Sequence, residues 1–241
     1  MSVHPALSPE TAAEIVTETS MPSDALVASL CAAIYRPMAI VELDHFDAGE
    51  DDGVCWGIKR LPGCDVVIFR GSITTLDWVR DLRALASKTK VGHVHVGFYA
   101  GMEHVWSDLR PLVNQPCIVA GHSLGAARAA VLTALMVVDG APPAARVVFG
   151  EPKPGMLDFA RIVGTVPGRS YRNGDSLHHD LVCDVPFSFP PLQYMHPTPI
   201  VPVLSKPSES LFERFGVFAY HDIDLYQAAL SQASAQASQE K

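Results

Sequence analysis

Gly121-His122-Ser123-Leu124-Gly125 sets a serine between two glycines. A serine hydroxyl is almost fully protonated at neutral pH, so it attacks a carbonyl only if a base takes its proton. The base then needs a carboxylate to orient it, and the charge developing on the carbonyl oxygen needs N–H donors. The residues before the serine, Cys117-Ile118-Val119-Ala120, form a short apolar, β-branched run that reads as a buried strand. Those after it, Leu124 to Asp139, are Ala-rich and almost continuously apolar, which predicts a buried helix. G-x-S-x-G between strand and helix holds the hydroxyl up at a sheet edge over a helix N-terminus. A chance match in a chain rich in Gly and Ala is the plain alternative, and the flanking elements weigh against it.

Two carboxylates and several histidines follow the serine. Asp175 lies in Asn173-Gly174-Asp175, a turn sequence, while Asp180 opens Asp180-Leu181-Val182-Cys183-Asp184-Val185-Pro186. His196 and His221 lie beyond both. His122 sits next to the serine and so points away from it, as a packed or hydrogen-bonded neighbour. His93, His95, His178 and His179 could be imagined around a metal, but no carboxylate spacing supports that. The expectation is chemistry with no metal and no organic cofactor.

The elements that must carry these residues alternate. Val54 to Ile58 and Asp65 to Phe69 read as strands joined by Lys59 to Gly63, and the second ends in Phe69-Arg70-Gly71-Ser72. Val94 to Phe98 precedes a helix predicted from about Tyr99 to Leu112. Gly140-Ala141-Pro142-Pro143 stops the helix after the serine, and Arg146 to Gly150 is another buried strand. A short helix through Ile162 and a strand at Ser170 to Asn173 follow. The pattern predicts an α/β domain with a mainly parallel sheet covered on both faces. Catalytic groups then belong in loops at the carboxyl ends of the strands.

Two helices, at about 8–20 and Asp24 to Tyr35, precede the sheet; Ser23 caps the second. Seven of the 19 prolines (Pro186, Pro190, Pro191, Pro197, Pro199, Pro202 and Pro207) fall in one aromatic-containing stretch. That predicts an ordered excursion over about 186–220, with strand or hairpin somewhere in Met195 to Val203. A final helix is expected from His221 to Ser231, with frayed residues after it. The whole of 1–241 is expected to be one domain.

Composition narrows the function classes. Of the 241 residues, 48% are hydrophobic and 18% charged, which suits a globular core. A net charge of −8 argues against nucleic acid as a partner. No apolar run is long enough for a spanning helix. The start, Met1-Ser2-Val3-His4-Pro5, lacks a basic segment followed by an apolar one, so a cytoplasmic location is expected. Five cysteines without a C-x-x-C pair suit buried free thiols, although Cys55 and Cys64 flank a turn and could face each other.

Four stretches resemble the class 3 (fungal-type) lipase family of the α/β-hydrolase superfamily. They are Val67 to Ser72 with Asp77-Trp78 and Asp81-Leu82, then Val94 to Phe98, then Ile118 to Gly125, then Val147 to Gly155. The last stretch departs from the usual F-G-x-P-R-x-G at Lys153 and Pro154.

The resemblance implies the α/β-hydrolase fold and the chain order serine, acid, histidine, with Ser123 as nucleophile, Asp180 as acid and His221 as base. Asp180 is preferred over Asp175 because Asp180 to Pro186 matches the family's motif. His221 is preferred over His196 because a C-terminal helix follows it. The oxyanion donors would be the N–H groups of Leu124 and Ser72, with Ser72 Oγ as a third.

The implied activity is hydrolysis of carboxylic esters, often acylglycerols, with a lipid or small-molecule ester as partner and transient contact with a lipid interface. A cover over the acyl site would lie in Ser72 to His93, where Leu76, Trp78, Val79, Leu82 and Leu85 have helical spacing that also suits core. The 186–218 region is a second candidate cover. Competing readings are a thioester or feruloyl ester hydrolase, and an inactive hydrolase kept as a binding module.

Overall fold

The computed structural model describes residues 21–36, 42–51, 53–72, 85–114 and 116–239. The helix expected over 8–20 lies outside those residues, as does 73–84 of the candidate cover at Ser72 to His93. Strand β1 (His45–Asp47) is followed by β2 (Trp56–Leu61) and β3 (Cys64–Phe69), joined by the turn at Pro62-Gly63. Then come β6 (Cys117–His122), β7 (Ala145–Phe149), β8 (Gly168–Asn173) and β9 (Ile200–Val203); β4 (Ala86–Thr89) and β5 (Gly92–His95) form a separate hairpin. The main sheet is seven-stranded in the order β1-β2-β3-β6-β7-β8-β9. Contacts from β3 through β9 are parallel, and β1 and β2 add an antiparallel edge.

Alternation along each strand divides the core in two. Val67, Phe69 and Val119 face one layer, while Val66, Ile68, Ile118 and Ala120 face the other. The first layer holds α3 (Met102–Leu109) and α4 (Leu124–Val138), packed through Met102, Val105, Leu109, Val131 and Leu135. The second holds α1 (Asp24–Ala33) and the C-terminal α7 (Ile223–Gln239), through Val27, Cys31, Ile34 and Tyr226. Ser23 caps α1, accepting from the Leu26 N–H. Each fully buried aliphatic side chain contributes about 1.5–3 kcal/mol.

Some expectations shift. Of the helix predicted from Tyr99 to Leu112, only Met102–Leu109 is α-helix (α3); Tyr99 ends a separate short helix, α2 (Val96–Tyr99), and Gly101 turns the chain between them with φ 78°. The final helix begins at Ile223 and runs to Gln239, so the residues expected to fray are helical as far as that. Only Ile200–Val203 of the Met195–Val203 stretch is strand. A further helix, α6 (Glu209–Phe215), and a 3-10 turn, Gly216–His221, occupy the stretch before the last helix. The remaining helix among the described residues is α5 (Leu157–Val163). All five cysteines are free and buried. The hairpin register pairs Cys64 with Leu61, while Cys55 lies at the far end, where its carbonyl accepts from the Arg70 N–H. No described helix is long and apolar enough to cross a membrane.

Candidate active site

The tight strand–Ser123–helix turn, the elbow, is built as its residues require. Ser123 joins β6 to α4 with φ 61° and ψ −130°, and it is the only non-glycine at positive φ among the described residues. Such a backbone costs roughly 1–3 kcal/mol and persists only when neighbours hold it. Here the Phe149 carbonyl accepts from the Ser123 N–H at 3.1 Å. The flanking glycines permit the packing: a Cβ on Gly121 would run into the Gly125 carbonyl, and one on Gly125 into the Phe69 carbonyl. Those contacts press α4 onto the ends of β6 and β3.

Asp180 and His221 arrive from different elements. Asp180 lies seven residues past the end of β8 (180 − 173) and caps a 3-10 turn, Leu181–Asp184; its Oδ1 accepts from the Val182 N–H at 2.9 Å. His221 ends the 3-10 turn before α7. The two meet with His221 Nδ1 2.7 Å from Asp180 Oδ2. A carboxylate can only accept, so Nδ1 carries the proton and Nε2 presents a lone pair. Tyr226, one turn into α7, donates its hydroxyl to the same Asp180 oxygen at 2.5 Å. Asp180 is fully buried and His221 is 4% exposed.

Burial alone would raise the Asp180 pKa, but the charge and hydrogen bond of His221, with the donors Tyr226 and Val182, hold it below the usual carboxylate value. Gly150 makes room for the pair, since a Cβ there would lie 2.7 Å from Asp180 Oδ2 and 2.8 Å from His221 Nδ1.

Ser123 Oγ and His221 Nε2 are both buried and have no hydrogen-bond partner among the described residues, so they are not hydrogen-bonded to each other. A hydroxyl donor and an imidazole lone pair left open in a buried site are the two groups that proton abstraction requires. Leu124 opens α4, so its N–H has no partner within the helix. Arg70 to Ser72 continue from β3 past its pairing of Phe69 with Gly121, which brings Gly71 against the elbow and Ser72 one residue further.

The other candidates are engaged elsewhere. Asp175 is an exposed turn residue whose Oδ1 accepts from the Leu177 and His178 N–H groups. His196 donates from Nε2 to the Cys183 carbonyl at 2.8 Å and keeps Nδ1 3.6 Å from Glu151. His95 caps α2, His93 pairs with Asp158, His179 pairs with Asp184, and His178 stacks on Tyr220. Glu151 and Arg146 form a buried ion pair beside the site, Glu151 also accepting from Ser170 and Arg146 also donating to Thr198. Sequence reading gave no role to Tyr226, Glu151 or Arg146; a tyrosine one turn into the helix after a candidate base was the only visible hint.

A model of the family "Lipase (class 3)" matches residues 66–189. A Caenorhabditis elegans lipase is 29% identical over 141 residues, covering 52% of this chain and 40% of that protein, so this chain spans well under half of that relative's length. Among solved structures, MDLA of Penicillium cyclopium superposes with a TM-score of 0.62 at 18% identity, covering 85% of this chain and 86% of that one. The lipase of Rhizopus microsporus var. chinensis gives a TM-score of 0.63 at 19% identity, covering 77% and 75%. At such identities the likeness is one of fold.

Proposed function

Since the chain belongs to the class 3 lipase family, we propose that it is a serine-dependent carboxylic ester hydrolase acting on acylglycerols or simple acyl esters. Its fold is that of the α/β-hydrolases, with a mainly parallel sheet between helical layers. The observation that carries the proposal is the buried Asp180–His221 contact at 2.7 Å, together with a His221 Nε2 and a Ser123 Oγ that are both buried and hydrogen-bonded to no described residue.

In the proposed cycle His221 Nε2 takes the Ser123 proton as Oγ attacks the ester carbonyl. The oxyanion of the tetrahedral adduct accepts from the N–H groups of Leu124 and Ser72. Collapse expels the alcohol, which receives its proton from His221, and leaves an acyl group on Ser123. Water attacks that acyl ester with His221 again as base, releasing the acid and restoring the serine. Asp180 stays ionised throughout and holds the imidazole in the tautomer with the proton on Nδ1. The substrate reaches the site from solution or in transient contact with a lipid surface, and five free buried thiols support action in a reducing compartment such as the cytoplasm.

Profiling p-nitrophenyl esters from acetate to palmitate, alongside acyl thioesters and a triacylglycerol emulsion, tests the proposal. Oxygen esters should be hydrolysed, and Ser123→Ala should lower kcat by about 10⁴-fold or more. Turnover of thioesters alone, or an unimpaired Ser123→Ala enzyme, would overturn it.

A further inference from the structure

Tyr35, just past the C-terminal end of α1, lies far in sequence from Ser123, Asp180 and His221, yet its hydroxyl sits against the Ser123 turn. The Gly71 N–H donates to Tyr35 Oη at 2.9 Å, and Tyr35 Oη lies 2.9 Å from His122 Nδ1. His122 Nε2 is 2.7 Å from the carbonyl oxygen of His221. The directions of these bonds follow from the groups involved. A carbonyl can only accept, so His122 carries its proton on Nε2; Nδ1 is then an acceptor, and the Tyr35 O–H must donate to it. The chain runs Gly71 N–H to Tyr35, Tyr35 O–H to His122, and His122 N–H to the His221 backbone.

We propose that Tyr35 is a positioning residue whose hydroxyl holds the start of the oxyanion loop, the elbow and the base's backbone through this one chain of hydrogen bonds. The inference rests on the reading of Ser123, Asp180 and His221 as a catalytic triad given above. The geometry at Gly71 shows how tightly the three parts meet, because a Cβ on that residue would strike the Tyr35 hydroxyl and lie 2.7 Å from the His122 carbonyl and 2.9 Å from Ser123 Cβ. Gly71 immediately precedes Ser72, so anchoring its N–H sets the direction in which the next N–H points. His122 is the residue before the nucleophile, so fixing its ring fixes the turn from which Ser123 rises.

The chain also governs charge. The His122 and His221 rings lie 4.5 Å apart between centroids, and in the proposed cycle His221 becomes an imidazolium. A second cation at that distance would oppose the proton transfer. Burial, and then the nearness of His221, push His122 down to about 3, and the Tyr35 O–H occupies the nitrogen where a second proton would go. Tyr35 is half-buried, and desolvation of its hydroxyl pushes the phenol pKa up, so it remains the donor throughout the working range.

The test compares variants in p-nitrophenyl butyrate hydrolysis, with KM and kcat resolved and the thermal midpoint recorded for each. Tyr35→Phe should lower kcat by about 10- to 100-fold with KM within about twofold, the size of loss that a small misplacement of reacting groups produces. Tyr99→Phe, which removes a hydroxyl bonded to Glu103 on the surface, is the control and should leave kcat unchanged. His122→Leu should fall as far as Tyr35→Phe. His122→Gln should recover at least about tenfold of that loss, because a neutral amide can accept from Tyr35 and donate to the His221 carbonyl.

Tyr35→Phe at the wild-type kcat, or equal losses in the Leu and Gln variants at position 122, would overturn the inference; if Tyr35→Phe does not fold, the two position-122 variants decide it. A phosphonate ester that labels Ser123 in the wild-type enzyme separates the two claims. Labelled, active wild type with an unaffected Tyr35→Phe refutes only the positioning role, whereas unlabelled, inactive wild type refutes the triad reading beneath it.

Discussion

At the scale of residues, one carboxylate does most of the organising. Asp180 Oδ2 takes two donors, His221 Nδ1–H and the Tyr226 hydroxyl, and Oδ1 takes a backbone N–H. Asp180→Asn keeps the shape but offers its amide N–H₂ or a neutral oxygen to His221, so the imidazole loses the partner that fixes its tautomer. We expect kcat to fall by about 10³- to 10⁴-fold, while Asp175→Asn, in its exposed turn, leaves kcat within about twofold. Equal effects of the two substitutions would mean that the acid has been misassigned. The proposal of Ser123 as nucleophile comes from local spacing, because strand, glycine and helix lie next to it in sequence. Asp180 and His221 emerged from several carboxylates and histidines only through the family's motif. Tyr35 and Tyr226 were not legible, because their contacts arise where α1 and α7 cross the sheet, and no sequence spacing encodes that crossing.

At the scale of elements, the loop after β7 is held by charge buried in the second layer of the site. Arg146 and Glu151 are both fully buried, and Glu151 follows Gly150, which touches the Asp180–His221 pair. Burial would raise the Glu151 pKa, but Arg146 first and His196 after it keep the carboxyl below its usual value. His196 in turn bonds the Cys183 carbonyl of the turn that Asp180 caps, so the ion pair is linked to the element that holds the proposed acid. Arg146→Met leaves a buried carboxylate without its cation and should cost about 3–5 kcal/mol in urea unfolding. The double variant with Glu151→Gln should recover most of that loss, and a single variant within about 1 kcal/mol of wild type would deny the pair this role.

The buried strands that carry this network were readable as apolar runs. The β4–β5 hairpin was not, since Ala86-Ser87-Lys88-Thr89 has neither apolar alternation nor a burial face to announce it. The break between α2 and α3 was missed because Gly101 sits inside an otherwise helical pattern.

At the scale of the whole molecule, the buried titrating groups set how stability depends on pH. His122 is held at about 3 against an ordinary 6.5, so the folded protein stays unprotonated there while the unfolded chain takes up a proton. The unfolded state therefore binds more protons below about pH 6.5, and stability must fall as the pH drops, by up to about 1.4 kcal/mol per pH unit from this group. Asp180 and Glu151 act through depressed carboxyl pKa values. Their contribution is present above about pH 4.5 and is lost as the pH falls through the lowered folded values. Urea unfolding from pH 7 to 4.5 should show the decline in the wild-type protein and a flatter line in His122→Gln, while parallel lines would contradict the assignment.

The central claim is that Ser123 carries the acyl group, and rapid-quench hydrolysis of p-nitrophenyl butyrate followed by peptide mass analysis tests it most directly. The account predicts a burst of about one p-nitrophenol per chain and a butyryl adduct on the peptide that contains Ser123. Ester turnover with neither burst nor adduct, or an adduct on any other residue, would contradict it.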